Sequence, residues 1–443
     1  MANFLAKIWP SLAAPHALSA AETVGFYATR IIGAVFLLCY AYQFFYIFIA
    51  CIKSPKTYPA APHTKRYAAV IAARNEQAVL PALLESIRRQ TYPAHLIDVY
   101  VVADNCTDAT ATLAREGGAF VVEREDTQRI GKGYALCYFF EHLAREKGIL
   151  SYDAYLFFDA DNVLRDDYFE KMHDAYCAGN RVLTSYRNSK NYGKNWISAG
   201  YALWFLREAR HLNNARAILG SSAAIAGTGF LVDAELLAKN GGWKHFLLTE
   251  DLEFTADCVL QGERIGYCHA AELFDEQPES FSQSWRQRKR WAKGLFQTIR
   301  RYGVRLLGGA LRGSWSCFDM LVSMMPAFLL STLQLTVVVA MLVLHLITQG
   351  GVSLMLLSLF VEFWLFAYGM FLLVGGFALF AERGRICCRK PRAILLLLAF
   401  PVFMLTYIPL SLCALFTRVS WQPIHHKYAL STEQIEAAEH KKI

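Results

Sequence analysis

Residues 154–162 read Ala-Tyr-Leu-Phe-Phe-Asp-Ala-Asp-Asn. A short unbroken apolar run is a buried strand when turn-forming residues end it. Here the ending is two carboxylates separated by one residue. Working outward, Tyr67–Ala73 is a second run of strand length. Residues 77–90 place Val79, Leu80, Leu83, Leu84 and Ile87 on one helical face. Val99–Ala103 is a further strand, stopped by Asp104-Asn105-Cys106-Thr107-Asp108. A helix over 108–116, a strand at Ala119–Glu123 and a helix over 133–147 lead to the strand at Ala154–Phe158. This alternation predicts an α/β, Rossmann-like doubly wound sheet with largely parallel strands. Such sheets bind ligands beyond the carboxyl ends of their strands. Asp104, Asp159 and Asp161 gather there, so they are candidate site residues. No internal repeat is found, and only 422–443 reads as a polar tail.

The chain has 443 residues, of which 55% are hydrophobic and 14% aromatic. The charges crowd residues 53–312, and apolar runs occupy 31–52, 319–348, 352–380 and 393–417. Each is long enough to cross a bilayer as a helix, and soluble helices rarely stay uncharged so far. The first run begins late and has no small-residue cleavage site behind it, so it reads as a retained anchor. The net charge is +8. Arg383, Arg385, Arg389, Lys390 and Arg392 form a basic link expected on the cytoplasmic side, and the uncharged link Gln349–Ser353 is expected outside. Parity then puts the tail outside, yet Arg418, Lys427, Lys441 and Lys442 favour the inside. Pro401 and Pro409 let the last run bend or re-enter. Eleven cysteines show no metal-ligand spacing and are expected to be reduced. Cys387-Cys388 suits either acylation or simple interfacial filling.

Three constellations carry chemistry. Asp159 and Asp161 can both reach one hard divalent cation, although Asp and Asn also suit an ordinary turn or cap. Leu247-Leu248-Thr249-Glu250-Asp251-Leu252-Glu253 embeds carboxylates among apolar residues, which is costly unless they are paired or used. A carboxylate there can serve as general base, or the segment can be a helix start. Gln287-Arg288-Lys289-Arg290-Trp291 lies in an amphipathic stretch. Arginine forks match phosphate, and Trp offers a face for a sugar or a place at the membrane interface.

The order IAARNE, VVADNCTD, GKGYAL, FDADN, GTGF, LTEDLEF and QRKRW, over residues 65–300, resembles membrane-bound family 2 glycosyltransferases of the GT-A fold. The branch that it resembles holds cellulose, hyaluronan, chitin-oligosaccharide and poly-N-acetylglucosamine synthases. The resemblance implies that Ala73, Glu76, Asp104, Lys132, Asp159 and Arg290 bind a UDP-sugar donor. It implies Mg²⁺ or Mn²⁺ on Asp159 and Asp161. It puts Gly227, Thr228, Gly229, Gln287 and Trp291 beside the acceptor, and Asp251 with Glu250 at the catalytic base. Ala103 stands where the family often has a further Asp. The expected organisation is a segment with one membrane helix (1–53), a cytosolic catalytic domain (54–281), an interface helix (282–312), a membrane region (313–421) and a tail (422–443).

The resemblance implies an inverting displacement from UDP-glucose or UDP-N-acetylglucosamine in a bacterial inner membrane. The acceptor is a growing β-linked glycan exported as it grows, or alternatively a lipid. Membrane lipids, a second copy or an export partner are the expected associates, and nucleic acid is not. A transporter would show ionisable residues within its spans. Only His345 and Glu362 stand out, the first near a helix end and the second facing either a polar pathway or another helix.

Overall fold

The computed structural model describes residues 19–324, 327–386, 388–420, 430 and 432–440. Cys387 and the tail residues Lys427, Lys441 and Lys442 lie outside them.

The chain opens with α1 (Ala20–Ile52), whose 33 residues span about 50 Å at 1.5 Å each. Then follow β1 (Tyr67–Ala73), α2 (Leu80–Arg88), β2 (Ile97–Asp104), α3 (Thr110–Glu116), β3 (Phe120–Arg124), α4 (Lys132–Glu146) and β4 (Ala154–Asp159). The chain continues through β5 (Val163–Leu164), α5 (Tyr168–Cys177), β6 (Val182–Ser189) and α6 (Trp196–Arg207). A π-helical turn at Glu208–Asn213 leads to α7 (Asn214–Leu219), β7 (Phe230–Asp233) and α8 (Ala234–Lys239). The rest comprises α9 (Glu250–Leu260), β8 (Ile265–Asp275), α10 (Phe281–Leu311), α11 (Trp315–Met324), α12 (Ala327–Gln349), α13 (Leu354–Ala381), α14 (Lys390–Leu405), α15 (Tyr407–Phe416) and α16 (Thr432–His440).

The strands form one sheet in the order β3-β2-β1-β4-β7-β6-β8-β5. Its first half is parallel, as expected. The second half is mixed, because β7 runs antiparallel to both β4 and β6, and β5 antiparallel to β8. The reason is local. Residues 227–229 turn the chain back beside β4, where the Gly229 amide donates to the Phe157 carbonyl at 2.9 Å. An antiparallel β7 therefore starts where β4 ends, which sets this turn beside Asp159. Alternation along the strands gives each face its own core. Val70 and Phe157 pack with Leu136 and Phe139 of α4 on one face, and Ile71 and Phe158 with Leu83 and Met172 on the other. Full burial of such side chains contributes about 1.5–3 kcal/mol each.

Among the described residues, four helical stretches are long and apolar enough to cross a membrane: 20–52, 329–349, 354–381 and 390–416. At one end, Ser19 Oγ lies 3.2 Å from His345 Nδ1, and Ser353 bonds Glu22. At the other end, Tyr42 and Tyr46 of α1 donate to Asp319, and Glu382 accepts from Tyr186 of the sheet. Helices α1, α12 and α13 thus run between the catalytic domain and a far end. Asp319 belongs to the separate helix α11, so the apolar stretch begins at Leu329 rather than at 319.

The last stretch behaves differently. It breaks at Thr406, between Pro401 and Pro409, where a proline interrupts helical hydrogen bonding. Arg392 donates to the Lys194 carbonyl, Phe403 packs on Tyr201, and Lys293 donates to the Ala414 carbonyl at 3.0 Å. Every one of these partners lies in the catalytic domain or in α10. Of this stretch 39% is buried, against 11–17% for the other three. Helix α16 then docks on the sheet edge. Ile435 packs with Val163 and Phe274, and Glu433 pairs with Arg89. The structure thus places α16 on the same sheet that carries the cavity, beside Val163, Phe274 and Arg89. A membrane-impermeant maleimide should label Ala437→Cys from the same side of sealed vesicles as Glu116→Cys, in a cysteine-free background; opposite labelling would refute the docking of α16 on the sheet edge.

Arg216 of α7 meets Asp319 through Nε at 2.8 Å and Nη2 at 2.9 Å, and both side chains are fully buried. Removing one member of such a pair leaves an uncompensated charge. Asp319→Ala is expected to cost about 3–5 kcal/mol, read as a fall in the thermal midpoint in detergent.

Candidate active site

The carboxyl ends of β1, β2 and β4 open on one cavity of about 1250 Å³. The loops around it are stitched by asparagines. Asn75 and Asn105 adopt positive φ of 58° and 51°, a conformation asparagine tolerates better than most residues. Asn75 Oδ1 accepts from the Thr107 amide at 2.8 Å, and Asn105 Oδ1 from the Asp126 amide at 2.9 Å. Asp104, buried, pairs with Arg124 at the cavity edge. Burial lifts its pKa against the pull of that guanidinium.

Asp159 ends β4 half-exposed. Its carboxylate takes a hydrogen bond from Lys132, which also donates to the Gly227 carbonyl at 2.9 Å. Burial works against the Lys132 charge, but Asp159, Glu250 and Asp251 hold its pKa above the ordinary value. Asp161 is buried, and its Oδ2 accepts from the Glu276 amide at 3.0 Å. Asp275, at the end of β8, lies below them, bonded to Arg187. Burial lifts Asp275 to about 6 against Arg187, helped by the charges of Asp161 and Asp159.

The Leu247–Glu253 segment divides its carboxylates by task. Glu253 is fully buried and accepts the amides of Phe246 and Leu247 at 2.7 and 2.9 Å, fixing the loop. Glu250 and Asp251 line the cavity. Burial raises both, and each is opposed by Lys132 and Arg290. The adjacent Asp251 charge also lifts Glu250, to about 7. A backbone amide favours the ionised form of Asp251.

Helix α10 closes the cavity. Gln287, Arg290 and Trp291 line it, and Arg290 donates to the Leu248 carbonyl at 2.9 Å. Trp291 stands edge-on to Tyr201, with ring centroids 5.6 Å apart. Gly294 lets this helix approach the Thr249 backbone; a Cβ there would sit 2.8 Å from the Thr249 nitrogen.

Ala73, Glu76, Asp104, Lys132, Asp159, Asp161, Gly227, Glu250, Asp251, Gln287, Arg290 and Trp291 thus share one cavity. Thr228 and Gly229 do not line it. Thr228 is buried, accepts from the Asp159 amide at 2.9 Å and bonds Asn162, so it fixes the Asp159–Asn162 turn. Gly229, at φ 63°, is closed in by Leu273 and Ser185. Arg288 lies between two cavity residues yet faces away, fully buried, donating to the Phe403 carbonyl at 3.0 Å and to Thr406 Oγ1 at 2.8 Å. Arg187, Asp275, Arg207 and Glu208 line the cavity without having been singled out from sequence. For Asp275 a signal existed: Leu273-Phe274-Asp275 repeats the pattern of an apolar strand ending on an acid.

Residues 63–294 match the model of a family described as glycosyltransferase like family 2. The chain belongs to that family. It is a sugar-transferring enzyme. It is 27% identical to the beta-monoglucosyldiacylglycerol synthase of Nostoc sp. over 59% of this chain and 56% of that one. It is 27% identical to the probable glycosyltransferase YdaM of Bacillus subtilis over 51% of this chain and 54% of that one. To the poly-beta-1,6-N-acetyl-D-glucosamine synthase of Staphylococcus aureus it is 23% identical, over 52% and 55%. The chain spans about half the length of these curated relatives. Among solved structures, a mannosyltransferase from Pyrobaculum calidifontis, described in complex with GDP-Man and Mn²⁺, superposes with a TM-score of 0.56 at 16% identity, covering 89% of this chain and 99% of that one. That likeness supports the GT-A architecture of this glycosyltransferase.

Proton sharing in the Glu250–Asp251 pair has a kinetic signature. Asp251→Asn is expected to lower kcat/KM by about 10²–10⁴ at every pH. Wild-type kcat/KM should inflect near pH 7, where Glu250 loses its proton beside Asp251. Glu250→Gln, fixed in the neutral state, should lose that inflection, and its survival in this variant would remove Glu250 from the pair.

Proposed function

We propose that this glycosyltransferase moves glucose or N-acetylglucosamine from its UDP conjugate to the polar end of a membrane lipid, with inversion at the anomeric carbon. The continuity of the cavity carries the reading. From Asp159 and Asp251 it extends without a break to Phe36, Leu37 and Phe44 of α1 and Phe363, Phe366 and Phe371 of α13. An acyl chain suits such a wall, and a hydrated glycan does not. The name of the Nostoc relative, a diacylglycerol glucosyltransferase, agrees with it. The chain is taken to sit in a bacterial inner membrane with the catalytic domain in the cytosol, where nucleotide sugars are made and where the basic link 383–392 favours lying.

Asp159 and Asp161 would hold a divalent cation. No group of three or more His, Cys, Asp and Glu residues among the described residues is placed to hold one unaided. Two hard carboxylates at the cavity edge fit an ion that takes its other ligands from phosphate and water, as Mg²⁺ does. The raised Asp275 marks the crowding of negative charge that a cation would relieve. When bound, the ion supplies charge neutralisation for the departing diphosphate. Asp251 takes the proton of the acceptor hydroxyl, while Arg290 and Lys132 face the charge that develops on the leaving group. The acceptor oxygen bonds to the anomeric carbon on the face opposite the breaking bond, and the electron pair leaves with UDP.

One observation favours a second reading, a processive synthase. Gln287 Oε1 is buried without a hydrogen-bond partner among the described residues, beside Trp291, as a waiting terminal sugar would require. The size of the product separates the two. Purified enzyme in lipid vesicles with radiolabelled UDP-glucose or UDP-N-acetylglucosamine should yield one glycolipid, lost on chelation with EDTA, restored by Mg²⁺ or Mn²⁺, and reduced at least 10²-fold in Asp161→Asn. A high polymer would sink the lipid reading in favour of the synthase.

A further inference from the structure

Between the catalytic residues and the apolar chamber the cavity passes a belt of arginines. Arg187 is paired with Asp275, and Arg216 with Asp319. Arg210, on the same stretch of helix, is paired with Glu382. Arg207 is the exception. It lines the cavity at the end of α6, donates to the side-chain oxygen of Gln43 on α1 and lies over Trp204, with its guanidinium carbon 4.8 Å from the ring centroid. No carboxylate lies within ion-pair distance of it among the described residues. Burial lowers Arg207 to about 10, which leaves it charged at neutral pH. The charge of the adjacent Glu208 supports it without forming an ion pair, and a buried guanidinium that lines a cavity in this way offers its fork to an anion. Its setting is also specific. The π-helical turn Glu208–Asn213 begins at the next residue, and such turns inside helices frequently mark functional sites.

Resting on the lipid-acceptor reading, we infer that Arg207 anchors the acceptor through a phosphate in its polar head, with Gln43 of the first membrane helix orienting the guanidinium. A guanidinium fork matches a phosphate group in charge and geometry. The acyl chains then lie along α1 and α13, and the head reaches up towards Asp251. Two classes of lipid share this chemistry. In a phospholipid bearing a headgroup hydroxyl, that hydroxyl attacks and its proton passes to Asp251. In a polyprenyl phosphate, a phosphate oxygen attacks and brings no proton. In both, the bond from the anomeric carbon to the diphosphate breaks, and its electrons leave with the nucleotide.

The test uses the full-length enzyme in vesicles with three acceptors. Phosphatidylglycerol carries phosphate and hydroxyl, polyprenyl phosphate carries phosphate alone, and diacylglycerol carries hydroxyl alone. A phosphate-bearing lipid should be used with a KM at least tenfold below that of diacylglycerol, and whichever of the two is used identifies the source of the phosphate. Arg207→Gln should raise that KM at least tenfold with the donor KM unchanged, and Arg207→Lys should raise it only a few-fold. Gln43→Glu pairs a carboxylate directly with the guanidinium and keeps it, so it should mimic Arg207→Gln even if that variant folds poorly. A glycolipid made equally well from diacylglycerol, or a lipid KM within twofold of wild type in both Arg207→Gln and Gln43→Glu, overturns this inference and leaves the lipid reading standing. A polymer product overturns both.

Discussion

Asp319 collects the guanidinium of Arg216 and the hydroxyls of Tyr42, Tyr46 and Ser323 around one buried carboxylate. Those donors come from the first membrane helix, from the catalytic domain and from α11 itself. A charge buried so deeply is tolerated only while all its partners are present, so the three bodies are fixed relative to one another. The shared cavity depends on this arrangement. Its roof belongs to the sheet and its walls to helices at membrane depth. A loose joint between them would separate the reacting groups from whatever enters from below.

Helix α10 extends the same logic to the other side of the cavity. Its residues 287, 290 and 291 line the cavity, while Arg288 and Lys293 meet the apolar stretch of α14 and α15. Arg288 supplies a donor to a carbonyl at the break between these helices, which keeps a bent apolar segment beneath the domain. Nearby residues of one helix thus divide their tasks, three lining the cavity and two holding the neighbouring apolar stretch. Helical geometry makes this unavoidable, since neighbours in sequence point about 100° apart.

The parallel half of the sheet was legible because its strands are short apolar runs punctuated by acids, and the acids proved to share one cavity. The antiparallel β7 was not, since its reversal depends on a glycine turn whose conformation no periodicity reveals. Length and hydropathy marked the last apolar segment as a span. They carry no information about the arginine and lysine that clasp it, which lie more than a hundred residues earlier in the chain. Thr228 and Gly229 show the same limit at the scale of one loop. A motif gives the residues that matter together, but burial decides which of them meet a ligand and which hold the others in place. Arg207 and Asp275 were passed over because an isolated arginine or a single strand-end acid is common. Their significance lies in which partners they have or lack.

The distribution of charge explains why a site of this kind must sit at the boundary of two solvents. On the donor side, Asp159, Asp161 and Asp275 crowd three acids against Lys132 and Arg187, a balance that a cation and a diphosphate complete. Towards the apolar helices, burial raises the carboxyls of Glu250 and Asp251, and Arg207 makes no ion pair among the described residues. Acids are thus concentrated around Asp159, while Arg207 and Glu208 lie together at the cavity wall, where an acceptor with an anionic head would approach the guanidinium. Were Glu250 ionised at rest, its charge would oppose that approach and raise the basicity of Asp251 for no gain in binding. Burial and the adjacent Asp251 charge raise Glu250, which favours one negative charge rather than two on this pair.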